Sequence, residues 1–294
     1  MARSSAMPST MLADRAVRWY ATAARDLPWR RPGTTAWGVL TSEVMLQQTP
    51  AGRVAPVYEE WMHRWPQPAD LAAEAAGAAI RAWGRLGYPR RALRLHQCTT
   101  VLTTHHGGVV PDDLSVLLGL PGVGAYTARA VAAFAFGQRQ PVVDTNVRRL
   151  VARAHRGRAD GGPATTTDDL LTVTDLLPRQ PAKAARASIA FMELGALICT
   201  ARAPSCADCP LRTVCAWDRA GRPPTEGPRR RSQGYAGTDR QARGVLMALA
   251  RAGTLHAAAF DDAWADQVQL RRALDGLLED GLLIMAGPDR YELP

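Results

Sequence analysis

Leu120-Pro121-Gly122-Val123-Gly124 stands between two stretches of helical apolar spacing, Asp112–Leu118 and Ala125–Phe136. The two glycines let the backbone turn tightly and come close to another surface. The helix that follows starts near Ala125, and its first N–H groups have no partner inside the helix. Such a helix N-terminus is a ready anion site. With phosphate as the anion, the turn becomes a clamp on a nucleic-acid backbone that reads no sequence. Taken alone, the motif is equally an ordinary helix–helix turn with a glycine cap, so the rest of the chain has to decide.

Outward from this hairpin the chain reads as mainly helical. Met11–Ala24, Trp37–Gln48, Arg53–Trp65, Ala69–Ala82 and Pro89–His105 precede it, and Asn146–Ala154, Thr166–Leu177 and Lys183–Ile198 follow. Before the cysteines no alternating stretch is long enough for a central sheet. Arg219–Gly234 is rich in Pro, Gly and Arg and reads as a basic linker carrying Arg229, Arg230 and Arg231. Beyond it, Asp239–Ala252, a shorter Ala257–Trp264 and Gln267–Glu279 read as helices. Leu282–Met285 and Arg290–Leu293 read as strands around Gly287-Pro288-Asp289. Three helices and a terminal hairpin predict a small winged-helix-like domain.

At 294 residues the chain has room for two or three domains. Its net charge of +9 points to a polyanionic partner, nucleic acid first. A GC-rich genome explains the use of arginine for lysine, but not the excess of base over acid. Lys183 is the only lysine, so Schiff-base chemistry has just that side chain or the N-terminal amine to draw on. No apolar run spans a bilayer, and Met1–Thr10 has no apolar core of a signal peptide, which predicts a cytoplasmic protein with no membrane partner.

Four of the five cysteines, Cys199, Cys206, Cys209 and Cys215, follow the spacing Cys-x6-Cys-x2-Cys-x5-Cys. Disulfides rarely persist in the cytosol, so the quartet predicts a metal centre, zinc or an iron–sulfur cluster. Zinc sites usually pair two short knuckles, whereas here only Cys206 and Cys209 form one, which favours a cluster. Cys98, within a helical pattern, reads as a small buried hydrophobe. His105 and His106 read as a helix-terminal feature.

The hairpin, an aspartate in Val143-Asp144-Thr145-Asn146-Val147 and the cysteine quartet occur in that order. Together they resemble the helix–hairpin–helix DNA glycosylase superfamily, whose cluster-bearing branches are endonuclease III and the MutY adenine glycosylases. The resemblance runs from Trp19 to Trp217. It implies a mainly α fold: a six-helix barrel domain over 31–136, and an iron–sulfur helical domain built from 8–30 with 137–218. The linker would cover 219–234 and the winged-helix-like tail 235–294. It also implies one 4Fe–4S cluster on the four cysteines, duplex DNA as partner, a monomer, and a place at the bacterial nucleoid.

Breaking an N-glycosidic bond uses two acidic groups, one to protonate the leaving base and one to stay ionised beside the cationic sugar. Glu43 and Asp144 fit. Alone, Glu43 reads as a solvated helix residue and Asp144 as an N-cap. The stretch Ser42-Glu43-Val44-Met45-Leu46-Gln47-Gln48-Thr49, however, is similar to the signature of the MutY branch. The resemblance makes Glu43 the acid at adenine N7, its pKa raised by burial. It makes Asp144 the stabilising carboxylate and Asn146 its hydrogen-bonding neighbour. Pro28-Trp29-Arg30 would line the base pocket, and Leu46, an apolar neighbour of Glu43, would belong to the substrate- and DNA-binding residues. Tyr126 stands where endonuclease III has its attacking lysine, which implies a glycosylase without strand cleavage. Gln48, Thr49, Leu86 and Tyr88 would read the base opposite adenine. Leu120, Gly122, Val123 and Gly124 would grip the DNA backbone, and Arg202 in the cysteine loop could touch phosphate.

The chain departs from the resemblance in two places. Ile189 stands where the family has a Gln or Glu that hydrogen-bonds adenine, and an isoleucine cannot do so. The residues after Trp217 are too few for the Nudix-like domain that usually ends a bacterial MutY. Two other readings stay open from sequence, a thymine or uracil mismatch glycosylase of the same superfamily and a non-catalytic DNA-binding regulator.

Overall fold

The structure, a computed structural model, describes residues 10–162, 165–225, 234–253 and 255–294. Helices make up most of it: α1 (Thr10–Ala23), α2 (Ala36–Met45), α3 (Ala51–Arg64), α4 (Pro68–Ala72), α5 (Ala76–Trp83), α6 (Arg90–His105), α7 (Leu114–Gly119) and α8 (Ala125–Phe134). They continue as α9 (Thr145–Ala154), α10 (Thr167–Leu176), α11 (Pro181–Leu197), α12 (Ala216–Arg219), α13 (Asp239–Ala252), α14 (Phe260–Ala263) and α15 (Gln267–Glu279). Three short strands, β1 (Leu255–His256), β2 (Ile284–Gly287) and β3 (Arg290–Glu292), belong to the tail. Among the described residues no helix is long and apolar enough to cross a membrane. Arg229, Arg230 and Arg231 lie outside the described residues.

The chain divides into two compact units. The first comprises Met1–Glu43, Pro111–Gly119 and Val123–Pro228. Its core is built on α11, whose run of small residues lets neighbours approach closely. Leu12, Ala13 and Ala16 of α1 share this core with Val147, Leu150 and Val151 of α9 and Phe191 and Leu194 of α11. At Gly195 the approach is so near that an added Cβ would lie 2.7 Å from the Asn146 carbonyl oxygen. Only glycine allows that crossing, and it fixes the height of α9 against α11.

The second unit comprises Val44–Val110, Leu120–Gly122 and Arg229–Pro294. Trp61, Trp65 and Trp83 form its buried aromatic centre, packed edge to face with centroids 4.7 and 5.7 Å apart. The tail belongs to this unit. Its strands pair antiparallel in the order β1-β3-β2, with Tyr291 opposite both Leu255 and Met285. Arg251 donates to the Ile80 carbonyl at 3.2 Å, Arg90 meets Asp280 at 3.2 Å, and the Gly77 N–H donates to the Pro294 carbonyl.

Three local expectations give way to tertiary contacts. The single helix expected over Ala69–Ala82 is two helices, because the Glu74 carbonyl bonds His96 Nε2 at 2.8 Å and the Glu74 carboxylate meets Arg64 at 2.8 Å. Ala75 is thereby extended (φ −64, ψ 146) and restarts the chain as the cap of α5. The helix expected to reach Gln48 stops at Met45, since Arg91 collects the carbonyls of Val44 and Met45. The tail hairpin gains a third strand, β1, too short at two residues for any alternation to show in the sequence.

Candidate active site

Glu43 ends the first unit's share of α2, a helix buried along nearly its whole length, and is itself 6% exposed. Burial pushes its carboxyl up to about 7, against a hydrogen bond from Tyr126 and the positive charge of Arg30, with Asp144 adding to the rise. Tyr126 comes from the first turn of α8, just past the hairpin, so the turn that presents N–H groups also aims this phenol inward. Its hydroxyl lies 4.0 Å from Met192 Sδ. Burial, then the charges of Glu43 and Asp144, holds the phenol well above its usual range, which keeps it a donor.

Asp144 is the N-cap of α9. Oδ1 accepts from the Val147 N–H at 2.7 Å and Oδ2 from Asn146 Nδ2 at 2.8 Å. Burial raises its pKa, while those donors and the Arg149 guanidinium pull the other way. Capping and chemistry are therefore compatible at this residue, because the cap supplies the N–H groups that favour the ionised form. Arg149 reaches on from Asn146 Oδ1 (2.8 Å) to the carbonyls of Gly195 and Cys199, both at 2.6 Å. The cysteine loop and the Asp144 cap thus share one guanidinium.

Trp29 and Arg30 form a tight 3-10 turn, Trp29 buried and Arg30 Nη1 2.9 Å from Glu193 Oε2. Glu193 is fully buried on α11. It also takes the Arg25 N–H at 3.1 Å and both arms of the Arg25 guanidinium at 2.7 Å. Burial alone would raise its pKa, yet Arg25 and Arg30 hold its carboxyl down at about 2. Arg25, Glu193 and Arg149 were not singled out from sequence. The available signal was a lone glutamate on the apolar run of α11, which has to be paired if it is buried. Ile189 lies one turn earlier on α11, half-buried and without a polar atom.

The four cysteines line one pocket with Leu150, Ala154, Leu211, Arg153 and Trp217. Arg153 lies over the Trp217 ring at 4.6 Å and reaches Cys199 Sγ at 3.5 Å. Among the described residues no three His, Cys, Asp or Glu side chains are grouped closely enough to hold a single ion. Cys98 is buried, which pushes its thiol up to about 12.

The second unit holds the other selected residues. Gln48 and Tyr88 are exposed, Tyr88 by 49%, while Thr49 and Leu86 are buried and Leu46 is half-buried. At the hairpin Gly122 has φ +78, and a Cβ there would lie 2.8 Å from Arg94 Cβ, so a side chain is excluded twice over. Leu120 and Val123 are buried. Gly124 is exposed and caps α8 with its backbone alone.

Residues 41–173 match the profile of the HhH-GPD superfamily base excision DNA repair proteins. Over 94% of its length the chain is 53% identical to an adenine DNA glycosylase of Mycobacterium tuberculosis (strain CDC 1551 / Oshkosh), covering 91% of that protein. It is 52% identical to the adenine DNA glycosylase of Mycolicibacterium smegmatis, over 94% of this chain and 93% of that one. Among solved structures, a thermostable thymine-DNA glycosylase superposes with a TM-score of 0.65 at 26% identity, over 72% of this chain and 97% of that one. The chain belongs to the MutY-type adenine DNA glycosylases of the helix–hairpin–helix superfamily. The likeness to the mycobacterial proteins runs nearly end to end, so it takes in tail sequence as well as the glycosylase core.

Proposed function

We propose that this protein is a monofunctional adenine DNA glycosylase of base excision repair. It turns adenine mispaired with 8-oxoguanine or guanine out of the duplex and hydrolyses the glycosidic bond, leaving an abasic site. The observation that carries the reading is one site holding a buried, protonatable Glu43 beside the N–H-bonded carboxylate of Asp144. Glu43 gives its proton to adenine N7. The C1′–N9 bond then breaks, its electron pair leaving with the base, and Asp144 stabilises the oxocarbenium sugar. Water adds at C1′ and loses its proton to the Glu43 carboxylate, which restores the acid. Tyr126 orients Glu43 and, being a phenol, forms no imine with the abasic sugar. Trp29 and Arg30 line the base pocket, and Leu46 contributes to binding the DNA. Gln48 and Tyr88 meet the partner of adenine, with Thr49 and Leu86 behind them.

Cys199, Cys206, Cys209 and Cys215 would hold one 4Fe–4S cluster. Four thiols around a shared cavity, of which only Cys206 and Cys209 form a short knuckle, support a cluster over zinc. When bound, the cluster supplies a rigid anchor for the loop and no open position for substrate. Elemental analysis of the purified chain should find iron and acid-labile sulfide in equal amounts, without stoichiometric zinc. The protein acts as a cytoplasmic monomer on duplex DNA.

The likeness to a thymine-DNA glycosylase supports a second reading, release of a mispaired pyrimidine. Single-turnover base release from duplexes differing only at A·8-oxoG, A·G, T·G or U·G separates the two. Adenine release, with strand breaks only after alkali, is the expected result, and Glu43→Gln should abolish it. Release of thymine or uracil instead would move the chain to the second reading. Binding without any release would leave only a DNA-binding regulator.

A further inference from the structure

Arg91, the second residue of α6, is surrounded by acceptors from two separate turns of the second unit. Its Nη1 donates to the carbonyls of Val44 (3.0 Å), Met45 (3.0 Å) and Gln47 (2.5 Å). Its Nη2 donates to Thr49 Oγ1 (3.1 Å) and the Gly87 carbonyl (3.0 Å). The guanidinium also lies 5.2 Å from the Trp83 ring centre and 5.5 Å from that of Tyr88. Thr49 Oγ1 closes the set by donating to the Leu86 carbonyl at 3.3 Å. One side chain therefore fastens the Leu46–Thr49 turn to the Gly84–Tyr88 turn.

Each turn contains a strained residue. Among the described residues only four other than glycine have positive φ, and two of them are Gln48 (φ 56) and Tyr88 (φ 49). Side chains rarely adopt that conformation unless the surroundings enforce it. Both residues are exposed, so packing around their own side chains does not enforce it. The carbonyls and hydroxyl around Arg91 do. The four N–H groups on Nη1 and Nη2 of the planar fork serve these acceptors together, while the buried Nε–H has no partner; a lysine ammonium offers three donors from one point. The cation also sits at the C-terminal end of α2, where helix carbonyls lack partners.

We propose that Arg91 is a positioning residue for recognition of the strand opposite adenine. It locks the two turns together so that Gln48 and Tyr88 enter the duplex as one rigid pair. The proposal rests on the reading above that these two residues meet the partner of adenine. The test uses the full chain in a Glu43→Gln background, which binds the mispair without cutting it. A 2-aminopurine is placed beside the 8-oxoguanine, and its fluorescence at saturating protein reports unstacking, with saturation followed by anisotropy in the same tube. Because the signal is read per bound complex, a fraction of unfolded protein does not move it.

The expected result is a clear rise for the parent, a loss of that rise for Tyr88→Ala, and at least a threefold smaller rise for Arg91→Lys and Arg91→Met. If Arg91→Met does not fold, Arg91→Lys, which keeps the charge but not the fork, carries the test. Parent-level fluorescence from saturated Arg91→Lys, with the rise lost in Tyr88→Ala, overturns the role of Arg91 alone. A parent that gives no rise, or a Tyr88→Ala chain that matches it, overturns the wedge reading and this proposal with it.

Discussion

Glu43 shows how one carboxyl is made an acid near neutrality. Burial is the largest influence, and Tyr126 and Arg30 work against it, leaving the group at about 7. Base release should therefore fall as pH rises through about 7, as the proton donor is lost. Tyr126→Phe removes a hydrogen bond that favours the ionised form, so that falling limb should move to higher pH in single-turnover rates measured across the range. The same shift bears on stability. Unfolded, a glutamate titrates near its ordinary value of about 4.3. Folded, Glu43 holds its proton to higher pH, so its contribution is intact below the unfolded value and is lost as pH rises through about 7. Glu43→Gln should remove a penalty of about 3 kcal/mol at pH 8 and raise the melting temperature there, with little change at pH 5. An equal effect at both pH values would mean that Glu43 is not a buried, high-pKa group. Glu43 and Asp144 stand out in the sequence as candidates because their neighbours form motifs. Their environments were only partly so: burial was expected for Glu43, but Arg30's pairing with Glu193 joins residues 163 positions apart and leaves no local pattern.

At the scale of elements, α11 ties the first unit together. Its small residues admit α1 and α9, and its one buried charge, Glu193, takes four hydrogen bonds from Arg25 and Arg30. A buried carboxylate with such partners adds little net stability over an apolar residue, but breaking the set leaves cations without partners. Glu193→Ala should therefore cost about 3–5 kcal/mol, read by denaturant or thermal unfolding. Glu193→Gln, which keeps one acceptor oxygen for the arginines, should lose less and should retain base release better. Equal losses from the two would assign Glu193 a packing role only. Periodicity located α11, α9 and α13 within two residues of their ends. It failed at Ala73–Ala75, where an alanine-rich run has every local reason to stay helical and His96 and Arg64 capture Glu74 instead. It failed again at Leu46–Gln48, where Arg91 takes the carbonyls that would continue α2. In both places a side chain distant in sequence overrides local propensity.

At the scale of the whole molecule, the tail differs from the rest of the chain in charge and packs within the second unit. The chain carries +9, yet Tyr235–Pro294 has six arginines against nine acidic residues, a net −3. The basic surplus of the chain therefore lies outside the tail. Several tail arginines are also committed: Arg272 pairs with Asp239, Arg243 with Asp280, and Arg251 with the Ile80 carbonyl. The winged-helix outline legible in the sequence thus describes the tail's shape, while its contacts make it a buttress of the unit that carries Gln48 and Tyr88. Gly77 tests this. An alanine there would gain about 1 kcal/mol of helix propensity, since the position is helical. Its Cβ, however, would lie 2.6 Å from the Pro294 carbonyl oxygen and 3.0 Å from Leu293 Cβ. Overpacking of that kind costs about 1–3 kcal/mol when the neighbours are held. If Leu293 and Pro294 are seated as a structural contact, overpacking wins: Gly77→Ala lowers the melting temperature by several degrees, and removing Pro294 in the same chain restores part of the loss. If those residues merely drape over α5, they move aside, propensity wins, and the variant melts higher than the parent.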